Sequence, residues 1–220
     1  MPPPSRRVCA LVSGGLDSAV LVRRLLKEGR AVLPLYLRCG LAWEAAELYW
    51  LRRLLHAVRS PRLDALQVVH APLGSIYGAH WSLTGRGVPG ERSADQAVYL
   101  PGRNVLLLTH AAIVFAQRGI STIALGLLRG NPFGDASPRF LRRMAGCLTQ
   151  ALERPIRVRS PLRRLTKSQL VRVAEELPLA LTFSCLHPRG HQHCGRCNKC
   201  AERRRAFRLA GVADPTRYAR

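Results

Sequence analysis

The sequence contains few acidic residues and almost no lysine. Only 13 of its 220 residues are Asp or Glu, against 35 Lys and Arg, so the formal net charge is +22. Lys27, Lys167 and Lys199 are the three lysines, and arginine carries the rest of the positive charge. Such an excess attracts polyanions. It is consistent either with a nucleic-acid surface or with an arginine-rich composition that serves only codon usage and solubility.

Aromatic residues are also scarce, at 6%. The arginine clusters Arg142-Arg143, Arg163-Arg164 and Arg203 to Arg205 have no interleaved aromatic side chains. Base stacking on aromatic side chains is therefore not indicated. The charge pattern does not favour a nucleic-acid partner, although it leaves one open.

Long apolar runs are absent as well. No stretch reaches the roughly 18 uninterrupted apolar residues of a membrane helix, and residues 1–7 are too short and too rich in proline for a signal peptide. We therefore expect a cytoplasmic protein with no membrane partner. With 220 residues, of which 47% are hydrophobic, the chain can form one core domain with a small appendage.

Four of the seven cysteines have metal-site spacing. Cys185, Cys194, Cys197 and Cys200 form C-x8-C-x2-C-x2-C, which is typical of a structural, four-coordinate Zn²⁺ site. One ligand could instead come from the histidines of the same loop, which are His187, His191 and His193, and an iron–sulfur cluster is a further alternative. The other cysteines are predicted to be packing residues; they are Cys9, Cys39 and Cys147.

Strands and helices alternate along the chain. This order predicts an α/β fold, a Rossmann-like doubly wound parallel sheet with ligands at the carboxyl ends of the strands. The predicted strands are Val8–Val12, Ala31–Leu37, Leu66–Ala71, Ser121–Leu125 and Ile156–Arg159. The predicted helices are Ala19–Lys27, Trp43–Val58, Val105–Gln117, Pro138–Leu152 with Ser137 as its cap, and one that Thr166 caps and whose first turn carries Lys167.

Residues 72–101 show no periodicity and contain several glycines, so we predict a lid or binding loop without regular structure. The turn Pro101–Asn104 then leads into Val105–Gln117, which is apolar on nearly all sides and is predicted to be a central helix. Gly126 begins a second loop that faces the same edge of the sheet.

The first strand is followed by Ser13-Gly14-Gly15-Leu16-Asp17-Ser18. Glycines between a strand and a helix allow a ligand to approach the backbone, and the free N–H groups of the helix N-terminus bind phosphate. The loop lacks the lysine of the Walker type. It is typical of enzymes that split ATP into AMP and pyrophosphate. Asp17 could cap the helix or bind Mg²⁺, and Lys167 is unusual because a cation there opposes the helix dipole.

Several segments together resemble the 7-cyano-7-deazaguanine synthase family. The resemblance lies in the Ser13–Ser18 loop, Pro101–Asn104, Thr166-Lys167, and a tail pattern of Ser184-Cys185, His193-Cys194-Gly195, Cys197, Cys200, Arg203, Ala206-Phe207, Asp214-Pro215-Thr216 and Tyr218. It implies a pyrophosphate-loop ATPase fold in residues 1–180, related to the adenine nucleotide alpha hydrolases, and a zinc-binding subdomain in residues 181–220. It also implies a homodimer.

The activity implied is ATP-dependent adenylation of 7-carboxy-7-deazaguanine, amide formation with ammonia, and dehydration to the nitrile with a second ATP. The implied catalytic residues are Asp17, Lys167 and Arg103, and the implied substrate contacts are Asn104 and Asp135, with helix capping as the alternative role for Arg103, Asn104 and Lys167. The residues expected to bind ATP, with Mg²⁺, are Val12, Ser13, Gly14, Gly15, Leu16, Asp17, Ser18 and Ala19.

Two segments depart from the family pattern. Tyr36–Gly40 stands where the family has Y-G-Q-R-H, and Phe133–Ser137 stands where it has Y-P-D-C-R in a loop about two residues longer. Both segments are expected to border the ligand crevice. Two alternatives therefore stay open. One is a relative that joins the activated acid to another amine, such as one on a partner protein, and the other is a tRNA-modifying pyrophosphate-loop enzyme.

Overall fold

The computed structural model describes residues 6–219, so most of the proline-rich segment at the start of the chain, residues 1–5, lies outside the described residues. Five parallel strands form one sheet in the order β3-β2-β1-β4-β5. Their bounds are β1 Arg7–Leu11, β2 Ala31–Arg38, β3 Gln67–His70, β4 Thr122–Ala124 and β5 Arg157–Arg159. All five predicted strands are confirmed: β1 is shifted by one residue, β2 is one residue longer than predicted, and β3, β4 and β5 are shorter.

Eight α-helices connect and cover the strands in the described chain. They are α1 Leu16–Lys27, α2 Glu44–Ala57, α3 Gly74–Tyr77, α4 Trp81–Thr84, α5 Arg103–Ala116, α6 Pro138–Leu152, α7 Lys167–Val173 and α8 Asn198–Ala210. Short 3-10 helices cover Asp95–Val98, Gly134–Ala136 and Leu179–Leu181. The predicted caps are confirmed, because the Ser137 hydroxyl accepts from Phe140 N and the Thr166 hydroxyl accepts from Gln169 N.

Side chains on β1 alternate between two hydrophobic cores. Val8 and Ala10 pack on one face of the sheet with apolar residues of α1, α2, α7 and α8. Cys9 and Leu11 pack on the other face with residues of α5 and α6. The sheet is therefore covered on both faces, as expected for a doubly wound fold. Because β1 lies between β2 and β4, the strand order reverses there, and a crevice opens at the carboxyl ends of these strands.

Two predictions of local structure were wrong. α1 begins at Leu16 rather than Ala19, with Gly15 as its N-cap, so Asp17 and Ser18 lie inside its first turn, and no side chain caps it. Residues 72–101 are not without regular structure, since they contain α3, α4 and a 3-10 helix. Each of these helices has only four residues, about one turn, which is too short to produce a visible sequence period.

The prediction of a central helix at Val105–Gln117 was also wrong. α5 buries Leu108, Ala111 and Phe115, but Val105 and Ile113 are 37% and 47% exposed. A helix with apolar residues on all sides need not be buried on all sides. α5 covers one face of the sheet and exposes the apolar residues of its outer side. The prediction for Cys147 fails in a similar way: Cys9 and Cys39 are buried, whereas Cys147 lies on the exposed side of α6.

By length and hydropathy, one helical segment of the described chain, Asp95–Ala116, could cross a membrane, and core helices meet the same criterion.

Candidate active site

The Ser13–Ser18 loop lies in the crevice between β1 and α1. Ser13 N donates to Ser18 Oγ at 2.9 Å, and the two hydroxyl oxygens lie 3.3 Å apart, so each side chain fixes the other. The loop backbone and both hydroxyls lie beside the first turn of α1, whose N–H groups have no partner within the helix. This arrangement can bind phosphate oxygens.

Two glycines give the loop its shape. Gly14 has φ +78°, and a Cβ at this position would lie 3.2 Å from Leu51 Cβ in α2. A Cβ on Gly126, just beyond β4, would lie 3.0 Å from the carbonyl oxygen of Asp17. Both positions therefore require glycine for close backbone packing, and Gly126 supports the loop from the neighbouring strand.

Lys167 and Asp17 meet across the crevice. Lys167 Nζ donates to both carboxylate oxygens of Asp17, at 2.7 and 3.0 Å, and lies 3.9 Å from Glu202. Burial by itself would lower the pKa of Lys167, but Asp17 and Glu202 raise it overall. Burial likewise opposes ionisation of Glu202, yet Lys167 and Lys199 lower its pKa. The N-terminus of α7 thus holds a charged ammonium beside the Ser13–Ser18 loop.

Arg103 begins α5 and lines the crevice. No carboxylate of residues 6–219 lies within 4.0 Å of its guanidinium. The next residue, Asn104, is bonded to Asp135: its backbone N donates to Oδ2 at 3.0 Å, and its side-chain amide donates to Oδ1 at 3.3 Å and to the carbonyl oxygen at 3.1 Å. Asp135 therefore holds the start of α5 and so positions Arg103 for an anionic ligand.

Glu47 is a buried carboxylate at the wall of the crevice. Tyr36 OH donates to its Oε2 at 2.6 Å, and no donor among the described residues contacts its Oε1. Burial raises the pKa of Glu47 to about 7, although Arg103 and the Tyr36 hydroxyl oppose the shift. The neighbouring Glu44 has a structural role instead, since it accepts from the backbone N–H groups of Cys39 and Gly40.

Aromatic side chains enclose the other side of the crevice, which has a volume of about 320 Å³. Trp81 stacks on Trp43 with ring centroids 5.8 Å apart, and Tyr99 stacks on Phe133 at 5.0 Å. Ser184 also lines the crevice, and its buried hydroxyl oxygen has no hydrogen-bond partner among residues 6–219. A planar heterocycle with polar edges fits such a lining.

The four tail cysteines form one cluster. The Sγ atoms of Cys185, Cys194, Cys197 and Cys200 all lie within 4.8 Å of one another, and all four residues are buried. Two of the Sγ pairs are 4.0 Å apart, close to the edge of about 3.8 Å in a tetrahedron with 2.3 Å metal–sulfur bonds. Backbone N–H groups of Leu186, Cys194, Arg196 and Cys197 point at these sulfur atoms. The donor set fits a metal ion bound by four thiolates.

Histidine is not part of this donor set. His193 Nε2 accepts from Ser184 N at 3.1 Å, and burial lowers the pKa of His193 to about 4, which keeps the ring neutral. Of the two expected ligand sets, the cluster matches four cysteines.

A buried arginine anchors the tail to the rest of the chain. Arg203 is 1% exposed; its guanidinium contacts Asp214, Thr216, Thr182 Oγ1 and the carbonyl oxygen of Leu179. Four polar residues quoted for the family resemblance are thus partners in one network, namely Arg203, Asp214, Thr216 and Tyr218. This network and the packing of α8 on α7 place Lys199 and Glu202 at the crevice.

Most of the residues predicted from sequence meet at this one crevice. Those that line it are Val12, Ser13, Gly15, Leu16, Asp17, Ser18, Arg103, Asn104, Asp135 and Lys167. Gly14 and Ala19 pack behind the loop. Sequence reasoning missed Glu47, Trp81, Ser184 and Glu202. Two of these carried a signal: Ser184 lies beside Cys185 in the tail pattern, and Glu47 is a carboxylate on the same helical stripe as Leu51 and Leu54.

Comparison with known proteins agrees with this architecture. Over 94% of its length the chain superposes on 51% of a 4-thiouridine synthetase crystallised with RNA and ATP, with TM-score 0.53 and 14% identity. Over 77% it superposes on 74% of a predicted tRNA methyltransferase subunit from Methanocaldococcus jannaschii, with TM-score 0.51 and 19% identity. At such identities these likenesses concern the fold alone. Fold and loop together define an α/β protein of the pyrophosphate-loop ATPase type.

The sequence relatives are more specific. A family profile described as queuosine biosynthesis protein QueC matches residues 7–211. The 7-cyano-7-deazaguanine synthases of Anaeromyxobacter dehalogenans and of Anaeromyxobacter sp. strain Fw109-5 are 32% and 33% identical to the chain, over 98% of it and 97% of each relative. The chain belongs to this QueC family of biosynthetic enzymes.

Proposed function

We propose that the chain is an ATP-dependent carbon–nitrogen ligase that adenylates 7-carboxy-7-deazaguanine and, with ammonia, makes 7-cyano-7-deazaguanine. The observation that carries the proposal is the convergence, in one crevice, of the Ser13–Ser18 loop, the Lys167–Asp17 pair and the Arg103 guanidinium, which has no carboxylate of residues 6–219 within 4.0 Å. Family membership supports the same reaction, since the curated relatives are named for this product.

ATP would bind with its phosphates on the loop. The N–H groups at the start of α1 and the hydroxyls of Ser13 and Ser18 face the crevice, and Lys167 adds a fixed positive charge. Asp17 is the one carboxylate in the loop and would contact Mg²⁺ held by the triphosphate. The cation would neutralise phosphate charge as pyrophosphate leaves.

The acid would bind between the aromatic wall and Arg103. Its planar ring fits the space lined by Trp81, Tyr99 and Phe133, and its carboxylate matches the free guanidinium. The ring edge of a deazaguanine carries N–H donors, for which Glu47 Oε1 and the Asp135 carboxylate are the buried acceptors nearby. Buried polar groups of this kind discriminate strongly, because a wrong ligand leaves them unpaired.

The reaction needs no protein nucleophile. A carboxylate oxygen of the acid attacks the α-phosphorus of ATP and pyrophosphate leaves, which gives an acyl-adenylate. Ammonia then attacks the acyl carbon, AMP leaves, and the amide loses a proton. A second ATP activates the amide oxygen in the same way, and loss of AMP and two protons gives the nitrile. The protein contributes positioning and charge stabilisation.

The cysteine cluster would hold one structural Zn²⁺. All four ligands would come from the protein, so no position is open for catalysis. The metal would tie the subdomain of residues 181–220 to the ATP-binding domain of residues 1–180, because ligand binding supplies folding free energy that a short tail lacks. A cytoplasmic homodimer is the assembly that we propose for the enzyme.

One alternative has a specific observation in its favour. The departing segments both contribute to the crevice, through Tyr36, Leu37, Phe133 and Asp135. A relative with altered crevice residues could pass the activated acid to an amine other than ammonia, including one on a partner protein. The tRNA-modifying alternative has the charge of +22 in its favour.

Mass spectrometry of the products distinguishes these functions. The full chain with ATP, Mg²⁺, 7-carboxy-7-deazaguanine and ammonia should yield the nitrile, AMP and pyrophosphate, with two ATP consumed per nitrile. Accumulation of the amide alone, or product only with another amine, would favour the conjugating alternative. No AMP with any carboxylate would reject the proposal. A matched control is Asp64→Asn, which removes a surface carboxylate whose one ion-pair partner within residues 6–219 is Arg7.

A further inference from the structure

A second cavity lies beside the active-site crevice and is lined by arginine. It has a volume of about 590 Å³ and shares Leu127 and Asn131 with the crevice. Four arginines line it from three parts of the chain: Arg129 after β4, Arg142 on α6, and Arg163 and Arg164 after β5. We refer to it as the arginine cavity. None of the proposed catalytic steps uses it.

The arginine cavity carries uncompensated positive charge. Within residues 6–219 no carboxylate lies within 4.0 Å of any of its four guanidinium groups, and no Asp or Glu lines it. Some arginines elsewhere on the surface are paired with carboxylates, as Arg159 is with Glu28 and Arg204 with Glu91. Four like charges around one concavity repel one another, so the arrangement gains free energy when an anion binds.

The helix α6 adds to this positive field. Its N-terminal residues Ser137 and Pro138 line the cavity, and its 15 residues direct the positive end of the helix dipole there. A helix N-terminus and arginine side chains both bind phosphate well, and arginine can do so through two parallel hydrogen bonds. The cavity therefore matches phosphate groups in more than one place.

The lining also indicates how such a ligand would be recognised. The side chains between the arginines are small, aliphatic or hydroxyl-bearing, and none is aromatic. Stacking of bases is thus not provided, whereas several phosphates along a chain can each meet a guanidinium. The net charge of +22 would increase the rate of encounter with a polyanion.

We propose that the arginine cavity binds the phosphodiester backbone of a nucleic-acid strand, without sequence preference, next to the ligase crevice. Through the shared residues Leu127 and Asn131, a bound strand would lie against the mouth of the crevice. The site is distinct from the ATP loop, since it uses neither Lys167 nor the Ser13–Ser18 segment.

The test compares two double variants of the full chain. Arg163→Gln with Arg164→Gln removes two charges from the cavity, and Arg52→Gln with Arg59→Gln removes two exposed charges that line a different concavity. Binding of a fluorescent 20-nucleotide RNA is followed by anisotropy over a range of salt concentrations. The cavity variant should bind the RNA at least about tenfold more weakly at 0.1 M salt. The slope of log K against the logarithm of salt concentration should become about 1.4 less negative. The control should keep the wild-type slope.

Three results would overturn the proposal. One is an equal loss in both double variants, which would mean general charge attraction. In the second, poly-glutamate displaces the RNA as effectively as a DNA strand of equal length does, which would indicate that the cavity binds an acidic protein segment. The third is inorganic triphosphate binding as tightly as RNA, with the same loss in the cavity variant, which would indicate a free oligophosphate. Similar affinities for RNA and DNA strands, both reduced in the cavity variant, would support it.

Discussion

Lys167 Nζ lies 2.7 Å and 3.0 Å from the two carboxylate oxygens of Asp17, although 150 positions separate the residues in the sequence. The contact joins the first turns of α1 and α7, and both helices begin at the crevice. It holds one charge of each sign beside the phosphate loop before any nucleotide binds.

Asp17→Asn should abolish AMP formation and leave the fold intact. The change removes the charge that orients Lys167 and would meet Mg²⁺, while the volume stays nearly constant. Because the pair is partly exposed, the free energy of unfolding should fall by only about 1 kcal/mol. Rates of AMP release and urea unfolding measure the two effects, with Asp64→Asn as the control. Normal AMP release from the folded variant would contradict the role of Asp17.

Gly126→Ala should slow ATP turnover at least tenfold. The added Cβ would lie 3.0 Å from the Asp17 carbonyl oxygen and would displace the phosphate loop. Gly146→Ala in α6 is the matched control, since nothing lies within 4 Å of its Cβ position and helix propensity favours Ala. Equal turnover in the two variants would show that the loop does not depend on this close approach.

Glu47→Gln should alter the pH dependence of stability. Since the pKa of Glu47 is raised to about 7, the folded chain holds a proton between about pH 5 and 7 that the unfolded chain has released. The free energy of unfolding of the wild type therefore falls as pH rises through this range. The Glu47→Gln variant has no carboxyl group at this position, so its free energy of unfolding lacks this pH dependence.

Relative to the wild type, Glu47→Gln should gain nothing near pH 5 and on the order of 2–3 kcal/mol above pH 7. Denaturant unfolding at several pH values measures the difference. Glu28→Gln, at a more exposed position on the surface, is the control. A difference that stays constant with pH would mean that Glu47 titrates normally.

Cys194→Ser should lose the metal and much of the stability together. The native chain should contain one Zn²⁺, and removal of one thiolate weakens binding and folding through the same free energy. Cys147→Ser, at an exposed position outside the cluster, should keep both metal content and melting temperature. Absence of zinc from the native protein, or unchanged melting after chelation, would reject the structural metal.

Asp135→Asn should weaken binding of the deazaguanine acid about 10- to 100-fold and of ATP less than threefold. The carboxylate accepts two hydrogen bonds from Asn104, and loss of buried acceptors costs about 1–3 kcal/mol. Calorimetry with each ligand separates the effects, and Asp95→Asn controls for charge. Equal loss of both ligands would assign Asp135 a general structural role.

The parts of the fold that follow local rules could be predicted from the sequence. Strands buried on both faces are continuous apolar runs, as in Val8–Val12, and Ser137-Pro138 marks the start of a helix. Local rules also led to the phosphate loop and the cysteine cluster, since each is a short contiguous pattern. Because β1 and β4 are neighbours, most of the predicted site residues meet at one edge of the sheet.

The rest depends on contacts between distant segments. Glu202 is one charge among many on α8, and only the packing of α8 on α7 brings it to Lys167. Glu47 lies four and seven residues before Leu51 and Leu54, on the buried stripe of α2, but only the folded chain shows that Tyr36 donates to it at the crevice wall. The four arginines of the arginine cavity lie on three separate elements, so no local pattern reveals that they share one concavity.

Isotope exchange between pyrophosphate and ATP is the most direct test of the proposed adenylation. With labelled pyrophosphate, ATP and Mg²⁺ but no ammonia, the full chain should transfer label into ATP only when 7-carboxy-7-deazaguanine is present. Asp17→Asn should lose this exchange, and Asp64→Asn should keep it. No acid-dependent exchange, with ADP and phosphate formed instead, would contradict activation through an acyl-adenylate.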